Sequence, residues 1–428
     1  AYEERGKAKY GLKDYQGALQ DYRETLHLNP NSVEARFQIA YTLYDLKEYQ
    51  ESLNFYNEVI QRKPDYPEAL FNRALDKESL NDPDGAILDY TEAVRVRPTY
   101  ASAYLERGRL KKSKDDFSGA LEDYNEALRV DPKFERAYYH RGLLKYDQKL
   151  FREALADFEE AFRLDPQYTD ACFRVAFVLY DLEENDRSME FYNTTLKLDN
   201  KHSYAYFNRG LIRKYKKNDY EGAILDYSQS LRYNPDDPVA YYERGNARYD
   251  KQDYDGAILD YTIAIRLNPQ KENYFRDRGL AKKEKQDYAG AIQDYTKGIE
   301  LKPEDATLYR GRASIKSTQG DLSGAMEDLS EALRLDPKYG FAYSTRAFLK
   351  KKQNDLEGAI TDFSEALKYD PEDTETYYDR GVALKDAKKL KEAKQDFQKY
   401  LERTVSSTTG FVLENRQWIW KQFPELKK

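Results

Sequence analysis

The stretch AYEERGKAKYGLKDYQGALQDYRETLHLNP, Ala1–Pro30, decides the fold because the chain repeats its pattern. ARFQIAYTLYDLKEYQESLNFYNEVIQRKP follows as Ala35–Pro64, and ALFNRALDKESLNDPDGAILDYTEAVRVRP as Ala69–Pro98. Each stretch ends in proline, and each begins 34 residues after the one before it, at residues 1, 35 and 69. Self-similarity at a fixed period of this length is typical of repeat architectures.

The same pattern continues to about residue 404 and divides this part of the chain into twelve units. The units begin at residues 1, 35, 69, 103, 137, 171, 205, 240, 274, 308, 342 and 376. In the middle of a unit, an aspartate such as Asp14 stands where its carboxylate can cap the N–H groups of a helix start. A proline such as Pro30 ends that helix, because proline cannot continue a hydrogen-bonded turn. Each unit is therefore predicted to form two short helices.

Glycine recurs inside the first predicted helix of many units, for example as Gly6 and Gly245. Glycine in a helix interior costs about 1 kcal/mol relative to alanine. Close contact with a neighbouring helix is a reason to accept this cost, because a side chain at the same place would collide. These glycines are therefore predicted to mark tight helix packing.

The unit resembles the tetratricopeptide repeat, in which aromatic, small and proline residues recur at set positions every 34 residues. One copy fills these positions with Tyr104, Gly108, Ala120, Tyr124, Ala127 and Pro132. The resemblance covers residues 1–404 and implies an all-α fold. It also implies a right-handed superhelical solenoid of about twelve helix-turn-helix repeats, whose first helices line a concave groove. Neighbouring repeats in such a solenoid contact chiefly one another.

Residues 405–428 leave the pattern and carry the apolar side chains of Phe411, Trp418, Ile419 and Trp420. We predict that this segment is a C-terminal capping helix and tail, because the end repeat of a solenoid otherwise exposes an apolar face. A docking helix that presents its tryptophans to a partner is the alternative interpretation.

Part of the array is echoed further along the chain. AYTLYDLKEYQESLNFYN, Ala40–Asn57, and AFVLYDLEENDRSMEFYN, Ala176–Asn193, agree at ten of eighteen positions. Similar echoes connect the units that follow each of these stretches. We infer that a block of four units, 35–170, was duplicated as 171–307.

Most units depart from the family pattern by placing arginine in the first helix and aspartate in the second. The arginines are Arg5, Arg73, Arg107, Arg141, Arg209, Arg244, Arg278, Arg312, Arg346 and Arg380, and the aspartates are Asp21, Asp89, Asp123, Asp157, Asp226, Asp260, Asp294, Asp328, Asp362 and Asp396. The second unit loses both at once and has Ile39, Leu43 and Phe55 instead; the sixth has Val175, Leu179 and Phe191. This joint switch predicts a contact between the two side chains, since a partly buried guanidinium needs a partner. A ligand site on the arginines is the alternative.

A second stripe of each first helix lies about 100° away from the core stripe and carries aromatic residues in many units. We predict that this stripe faces the groove and binds a partner. Its aromatic members are Phe37, Tyr41, Tyr44, Phe71, Tyr139, Tyr146, Phe173, Phe177, Tyr180, Phe207, Tyr242 and Tyr249. Tyrosine suits such a surface because its ring is apolar and its tip is polar. Packing of these rings against the next repeat is the alternative.

Later units carry basic residues in the same stripe: Arg276, Lys283, Arg310 and Lys351. We predict that these residues bind an acidic portion of the partner, with a solvated face as the alternative. The groove is thus predicted to combine apolar anchors with a basic part.

Other classes of function lack their residues in this sequence. His27, His140 and His202 stand at unrelated repeat positions, and no paired-histidine motif, nucleophile elbow or phosphate loop occurs. We therefore predict no catalytic activity and no cofactor. Cys172 is the one cysteine, which excludes a cysteine-based metal cage. The net charge of −7, with both signs interspersed, does not indicate a nucleic-acid surface. No apolar run reaches the roughly 18 residues of a membrane span.

The sequence therefore predicts a non-enzymatic scaffold that binds a peptide or protein segment along the concave groove. A structural component that assembles end to end through its terminal repeats is the alternative, so self-association stays open. Some co-chaperones of this family hold the C-terminal carboxylate of Hsp70 or Hsp90 with Lys and Asn on neighbouring first helices. No three consecutive units supply that set here, so this ligand is not predicted. The chain opens AYEERG, which leaves a processed or trimmed start at Ala1 open, as it does a cytoplasmic or a secreted or periplasmic location.

Overall fold

The computed structural model describes residues 1–407 and 409–427, and the regular structure in these residues is helical, with no strand. In chain order the α-helices are α1 (Tyr2–Gly11), α2 (Tyr15–Leu28), α3 (Val33–Asp45), α4 (Tyr49–Arg62), α5 (Pro67–Ser79), α6 (Pro83–Val96), α7 (Ala101–Ser113), α8 (Phe117–Val130), α9 (Glu135–Asp147), α10 (Phe151–Leu164), α11 (Thr169–Asp181), α12 (Asn185–Leu198), α13 (Ser203–Lys217), α14 (Tyr220–Tyr233), α15 (Pro238–Asp250), α16 (Tyr254–Leu267), α17 (Glu272–Glu284), α18 (Tyr288–Leu301), α19 (Ala306–Thr318), α20 (Leu322–Leu335), α21 (Gly340–Lys352), α22 (Leu356–Tyr369), α23 (Thr374–Asp386), α24 (Leu390–Arg403) and α25 (Gly410–Gln422). A short 3-10 helix, Pro424–Leu426, follows α25. The predicted all-α fold is confirmed.

The chain divides into two compact units, Ala1–Asn208 and a second that begins at Arg209. Within each unit, successive helices pack against one another in chain order, which is the arrangement of a helical solenoid. We call the odd-numbered helices α1–α23 the first helices and the even-numbered helices α2–α24 the second helices. The division into twelve repeats and the duplication of residues 35–170 remain predictions.

Local sequence signals set where the second helices begin. The side chain of Asp14 accepts a hydrogen bond from the backbone N–H of Gly17 at 3.0 Å. Equivalent caps are made by Asp82, Asp116, Asp219, Asp253, Asp287, Asp321 and Asp355. Each cap satisfies one of the backbone donors that a helix start leaves without an intrahelical partner. The predicted capping role is confirmed for Asp14, Asp219, Asp253, Asp287, Asp321 and Asp355, and Asp82 and Asp116 act in the same way.

A left-handed residue closes most first helices. Lys47 has φ 63°, its N–H donates to the carbonyl of Tyr44, and the N–H of Glu48 donates to the carbonyl of Leu43. This pair of bonds is the Schellman arrangement, which turns the chain sharply after a helix. The position is held by a side-chain-bearing residue in most repeats and by glycine at Gly320, where φ is 86°.

The second helices supply a column of buried rings to the core. Tyr22, Tyr56, Tyr90, Tyr124, Tyr192, Tyr227 and Tyr261 are all at most 1% exposed. The glycines of the first helices make room for these rings: a Cβ added at Gly245 would lie 2.7 Å from Cε1 of Tyr261. The predicted close helix contact is therefore confirmed, and these buried rings are one reason for the forty tyrosines in the chain.

The predicted contact between the arginine and aspartate series is present. Nη2 of Arg244 lies 2.7 Å from Oδ1 of Asp260, and its Nε lies 2.9 Å from Oδ2. Arg248, one turn further along α15, contacts the same Oδ2 at 2.9 Å. Asp260 is fully buried. In the second repeat, Ile39 and Leu43 pack with Phe55 in an apolar cluster instead. In the units that carry the pair, the arginine therefore joins the first helix to the second helix.

Helix α25 packs on the last helix pair. Ile419 is fully buried, and the ring of Phe423 lies 5.4 Å from the ring of Phe397. Trp418 lies 5.9 Å from Tyr378 and 5.8 Å from Phe397. Apolar contacts of this kind hold the helix in place, while its role as a terminal cap stays a prediction.

Candidate partner-binding surface

The twelve predicted aromatic residues lie on the first helices α3, α5, α9, α11, α13 and α15. We call them the aromatic surface. Tyr41 is the most accessible, at 40%, and the other eleven are half-buried. None of the twelve residues belongs to the fully buried core.

Some members of the aromatic surface, such as Phe37 and Phe71, pack against rings of their own repeat and of the connection that follows it. The ring of Phe37 lies 5.7 Å from Tyr56 and 5.1 Å from Tyr66. Phe71 lies in the same way between Tyr90 and Tyr100, at 5.4 and 5.1 Å. Each ring is therefore held between a buried ring of the second helix and a ring in the connection that follows.

The rings of these connections were missed at the sequence level. Tyr66, Tyr100 and Tyr168 each follow the unit-ending proline by two residues, and that spacing is a signal that could have identified them. In the sixth repeat His202 takes this place, with its ring 4.6 Å from Phe173. Burial lowers the pKa of His202, which favours its neutral form. These residues pack against Phe37, Phe71, Tyr139 and Phe173, respectively.

Consecutive first helices are joined through the aromatic surface. Tyr146 lies 5.8 Å from Phe177 of the next first helix, and its hydroxyl donates to Oδ2 of Asp181 at 2.6 Å. In the first repeats, Tyr10 contacts Tyr41 at 5.6 Å, and its hydroxyl donates to Asp45. In the first unit, some of these rings therefore also serve the packing between neighbouring repeats.

In the second unit, Tyr242 and Tyr249 line a cavity of about 330 Å³. The hydroxyl of Tyr242 donates to Oδ2 of Asp277 at 2.5 Å. The cavity also contains Lys214, which is only 5% exposed and donates to the hydroxyl of Tyr215 at 2.9 Å. Lys214 and Tyr215 were not predicted as site residues; both also contact Glu243 of α15, at 3.4 and 2.7 Å.

The four predicted basic residues differ in their partners. Arg276 donates to both carboxylate oxygens of Asp277, at 2.7 and 3.1 Å. Lys283 lies 3.7 Å from a carboxylate oxygen of Glu284. Arg310 and Lys351 form no ion pair within 4 Å among the described residues, and the buried Nε of Arg310 has no hydrogen-bond partner. All four side chains are half-buried.

Residues 1–407 and 409–427 contain neither a metal-binding cluster nor a helix suited to a membrane. No cluster of three or more His, Cys, Asp and Glu side chains that could hold a metal ion is found there. None of the helices described combines the length and the apolar character that a membrane crossing needs.

Solved structures with similar helical arrays have low identity to this chain. The structure titled "Crystal structure of APC/C hetero-tetramer Cut9-Hcn1" is 16% identical over 96% of this chain and 94% of that chain, with a TM-score of 0.47. Yeast Tom70 is 18% identical over 97% and 98%, with a TM-score of 0.37. YrrB, described as a TPR protein with an unusual peptide-binding site, is 23% identical over 46% and 97%, with a TM-score of 0.39.

Sequence profiles of one repeat family match most of the array. Those described as "Tetratricopeptide repeat" match residues 4–67, 135–168, 238–271, 276–339 and 374–404, and the one described as "TPR repeat" matches 108–149, 213–252 and 349–387. No curated protein shows significant sequence similarity to the chain. The profile matches fall along both units and on residues that form the capped helix pairs, glycine contacts and buried rings described above. The chain belongs to the tetratricopeptide-repeat family.

Proposed function

We propose that the chain binds a peptide or protein segment along its aromatic surface. Membership of the family supports the coarser part of this proposal, since tetratricopeptide-repeat proteins are generally non-enzymatic interaction scaffolds. The choice of binding surface and the chemistry of the partner are proposed from the side chains of the first helices.

The partial exposure of the aromatic surface is the observation that carries the proposal. These residues lie outside the fully buried core and leave apolar area accessible on the first helices, and such areas often bind partners. Because Phe37 and Phe71 are held by rings on both sides, they lose little conformational freedom when a ligand binds. Tyr41, the most exposed ring, is the first contact that we assign to an apolar anchor of the partner.

The basic residues support an acidic portion in the partner. Arg276 is already neutralised by Asp277, whereas Arg310 and Lys351 have no ion pair among the described residues. A guanidinium without an internal acceptor gains most from a carboxylate of a ligand. We therefore assign the acidic portion to Arg310 and Lys351, with Arg276 in a lesser role.

A selection from a random peptide library on the immobilised chain, followed by fluorescence polarisation, tests the aromatic part. We expect Tyr41→Ser to weaken the selected peptides at least tenfold and to leave the urea midpoint nearly unchanged. Leu88→Ser is the matched control, because Leu88 is 69% exposed on a second helix and lies outside the surface. Equal affinity of both variants, or failure to select any peptide, would contradict the proposal. Sedimentation of the free chain as concentration-dependent multimers would then favour end-to-end assembly.

Salt dependence tests the basic part. Among selected peptides that contain Asp or Glu, Arg310→Ala should weaken binding more at low ionic strength than at high, because salt screens the lost attraction. Arg276→Ala should have a smaller effect, since its guanidinium is paired with Asp277. Equal losses for the two variants at all salt concentrations would remove the special role of Arg310.

A further inference from the structure

Asp76 occupies a position that other repeats fill with apolar side chains. The equivalent residues are Leu110, Leu144, Val178 and Ile212. Asp76 lies in α5 and is fully buried, with no exposed surface. A buried aspartate of this kind is costly when ionised unless a cation or several donors stabilise it. Its hydrogen bonds therefore decide its charge.

If the carboxyl group of Asp76 is ionised, too few protons are available to satisfy the acceptors around it. Oδ2 lies 2.7 Å from Oγ of Ser52, and Oδ1 is buried without a hydrogen-bond partner. The same Ser52 Oγ lies 2.8 Å from the carbonyl oxygen of Ala40. A hydroxyl group has one proton to donate. Ser52 can therefore donate to the carbonyl or to the carboxylate, but not to both.

The sixth repeat shows which acceptor takes that proton. Ser188 stands 136 residues after Ser52, and it donates to the carbonyl of Ala176 at 2.7 Å. The position 136 residues after Asp76 holds Ile212, which is also fully buried. The hydrogen bond from this serine of the second helix to the carbonyl of the first helix therefore forms even where no aspartate is present.

We infer that Asp76 is a neutral carboxylic acid in the folded protein, that it donates its proton to Ser52, and that its ionisation loosens the packing of α4 against α5. The packing of α4 against α5 then depends on pH. This inference requires no partner and stands apart from the proposed binding function.

The polar groups that face Asp76 do not compensate a negative charge. Burial raises the pKa values of Tyr44 of α3 and Tyr56 of α4, and the electrostatic interaction with Asp76 raises both further. Both are phenols and stay neutral at physiological pH, and the hydroxyl of Tyr56 is buried without a hydrogen-bond partner. Burial raises the pKa of Asp76 to about 7.

The charged groups near this part of α5 are engaged elsewhere. Lys77 lies 2.8 Å from Asp89 of α6, which Arg73 contacts as well. Glu78 accepts from the hydroxyl of Tyr90 of α6 and pairs with Arg109 of α7. No ion pair of Asp76 within 4 Å is found among the described residues. Ionised Asp76 would therefore be buried without a counter-charge.

The direction of the pH effect follows from the two pKa values. An unfolded aspartate has a pKa of about 3.9, and that of folded Asp76 is raised to about 7. Between these values the folded chain holds a proton that the unfolded chain has released, so stability falls as pH rises through this window. From pH 5 to pH 8.5 the unfolding equilibrium constant of this segment should rise roughly a hundredfold, as the linkage of the two pKa values requires.

Three chains test the inference: wild type, Asp76→Ile, which copies the residue of the echoed unit, and Asp76→Asn, which keeps the shape and a donor. Urea midpoints and hydrogen exchange of peptides from α4 and α5 are measured at pH 5 and pH 8.5. We expect the wild type to lose protection in these two helices at the higher pH and both variants to lack this component. The pKa of Asp379 is also raised to about 7, mainly by burial, so Asp379 can add its own pH dependence to the wild type. The two variants retain Asp379, and their comparison with the wild type isolates the contribution of Asp76.

Infrared difference spectra provide a direct measurement of the proton. At pH 6, wild type minus Asp76→Asn should show the band of a protonated carboxylic acid that disappears at pH 8.5. An identical pH dependence of α4 and α5 in all three chains, or the absence of this band, would overturn the inference. If Asp76→Asn does not fold, the comparison of wild type with Asp76→Ile decides by the same criteria.

Discussion

Replacing the buried ion pair of one repeat with apolar residues tests whether its charges act as a unit. Arg244, Arg248 and Asp260 form this group in α15 and α16, with three contacts of 2.7 to 2.9 Å. The second repeat has isoleucine, leucine and phenylalanine at the same places. The natural replacement is therefore Arg244→Ile, Arg248→Leu and Asp260→Phe together.

The expected magnitudes follow from the contacts that each change removes. Arg244→Ile removes two hydrogen bonds to Asp260 and one to Oγ of Ser228 but leaves Arg248 on the carboxylate, so a loss of about 3 kcal/mol is expected. Asp260→Phe leaves two guanidinium groups without their partner and should cost about 3–5 kcal/mol. The triple variant should lie within about 2 kcal/mol of the wild type, because apolar replacement of a whole buried pair is often neutral.

Urea unfolding followed by far-ultraviolet circular dichroism measures these differences. Hydrogen exchange of peptides from α15 and α16 assigns them to this repeat. Arg95→Ala is the control, since Arg95 forms an exposed pair with Glu92 on a second helix, and we expect no measurable loss. If the effects of the single changes simply add up in the triple variant, the three side chains do not act as a unit, and the interpretation of the joint switch is wrong.

Three further predictions concern the packing and the backbone. Gly245→Ala should lower the free energy of unfolding by about 1–3 kcal/mol, because its Cβ would lie 2.7 Å from the ring of Tyr261. Gly11→Ala is its control in a urea titration: no atom lies within 4 Å of the added Cβ, so unchanged or slightly raised stability is expected, and equal losses would contradict the packing argument. Gly320→Ala should cost about 1 kcal/mol in the same assay because φ is 86°, and a neutral result would show that the turn relaxes. Cys172 is fully buried and burial raises the pKa of its thiol, so mass spectrometry should show alkylation only after unfolding; rapid labelling of the native chain would contradict its burial.

The side chains of the aromatic surface show which structural properties can be predicted from sequence spacing. Their positions on the first helices follow from helical periodicity, which places Phe37 and Tyr41 on one face. Their degree of exposure does not follow from it. The ring of Phe37 is covered by Tyr66, which lies in a connection whose path periodicity does not describe. The same limit applies to Arg276, whose charge is neutralised by its neighbour Asp277 through a rotamer that the sequence does not specify.

By itself the sequence determined the helix pairs, their aspartate caps, the glycine contacts and the pairing of Arg244 with Asp260. These features depend on residues less than one repeat apart. Because each local pattern recurs in many repeats, a pattern that is weak evidence in one copy becomes strong evidence in the whole array. The tertiary structure alone decided how much of each ring reaches solvent and which cations lack a partner. It also placed Oγ of Ser52 within hydrogen-bond distance of both the carbonyl of Ala40 and the carboxyl group of Asp76. These properties depend on distances between side chains from different helices, and a change of about 1 Å there is enough to make or break a hydrogen bond.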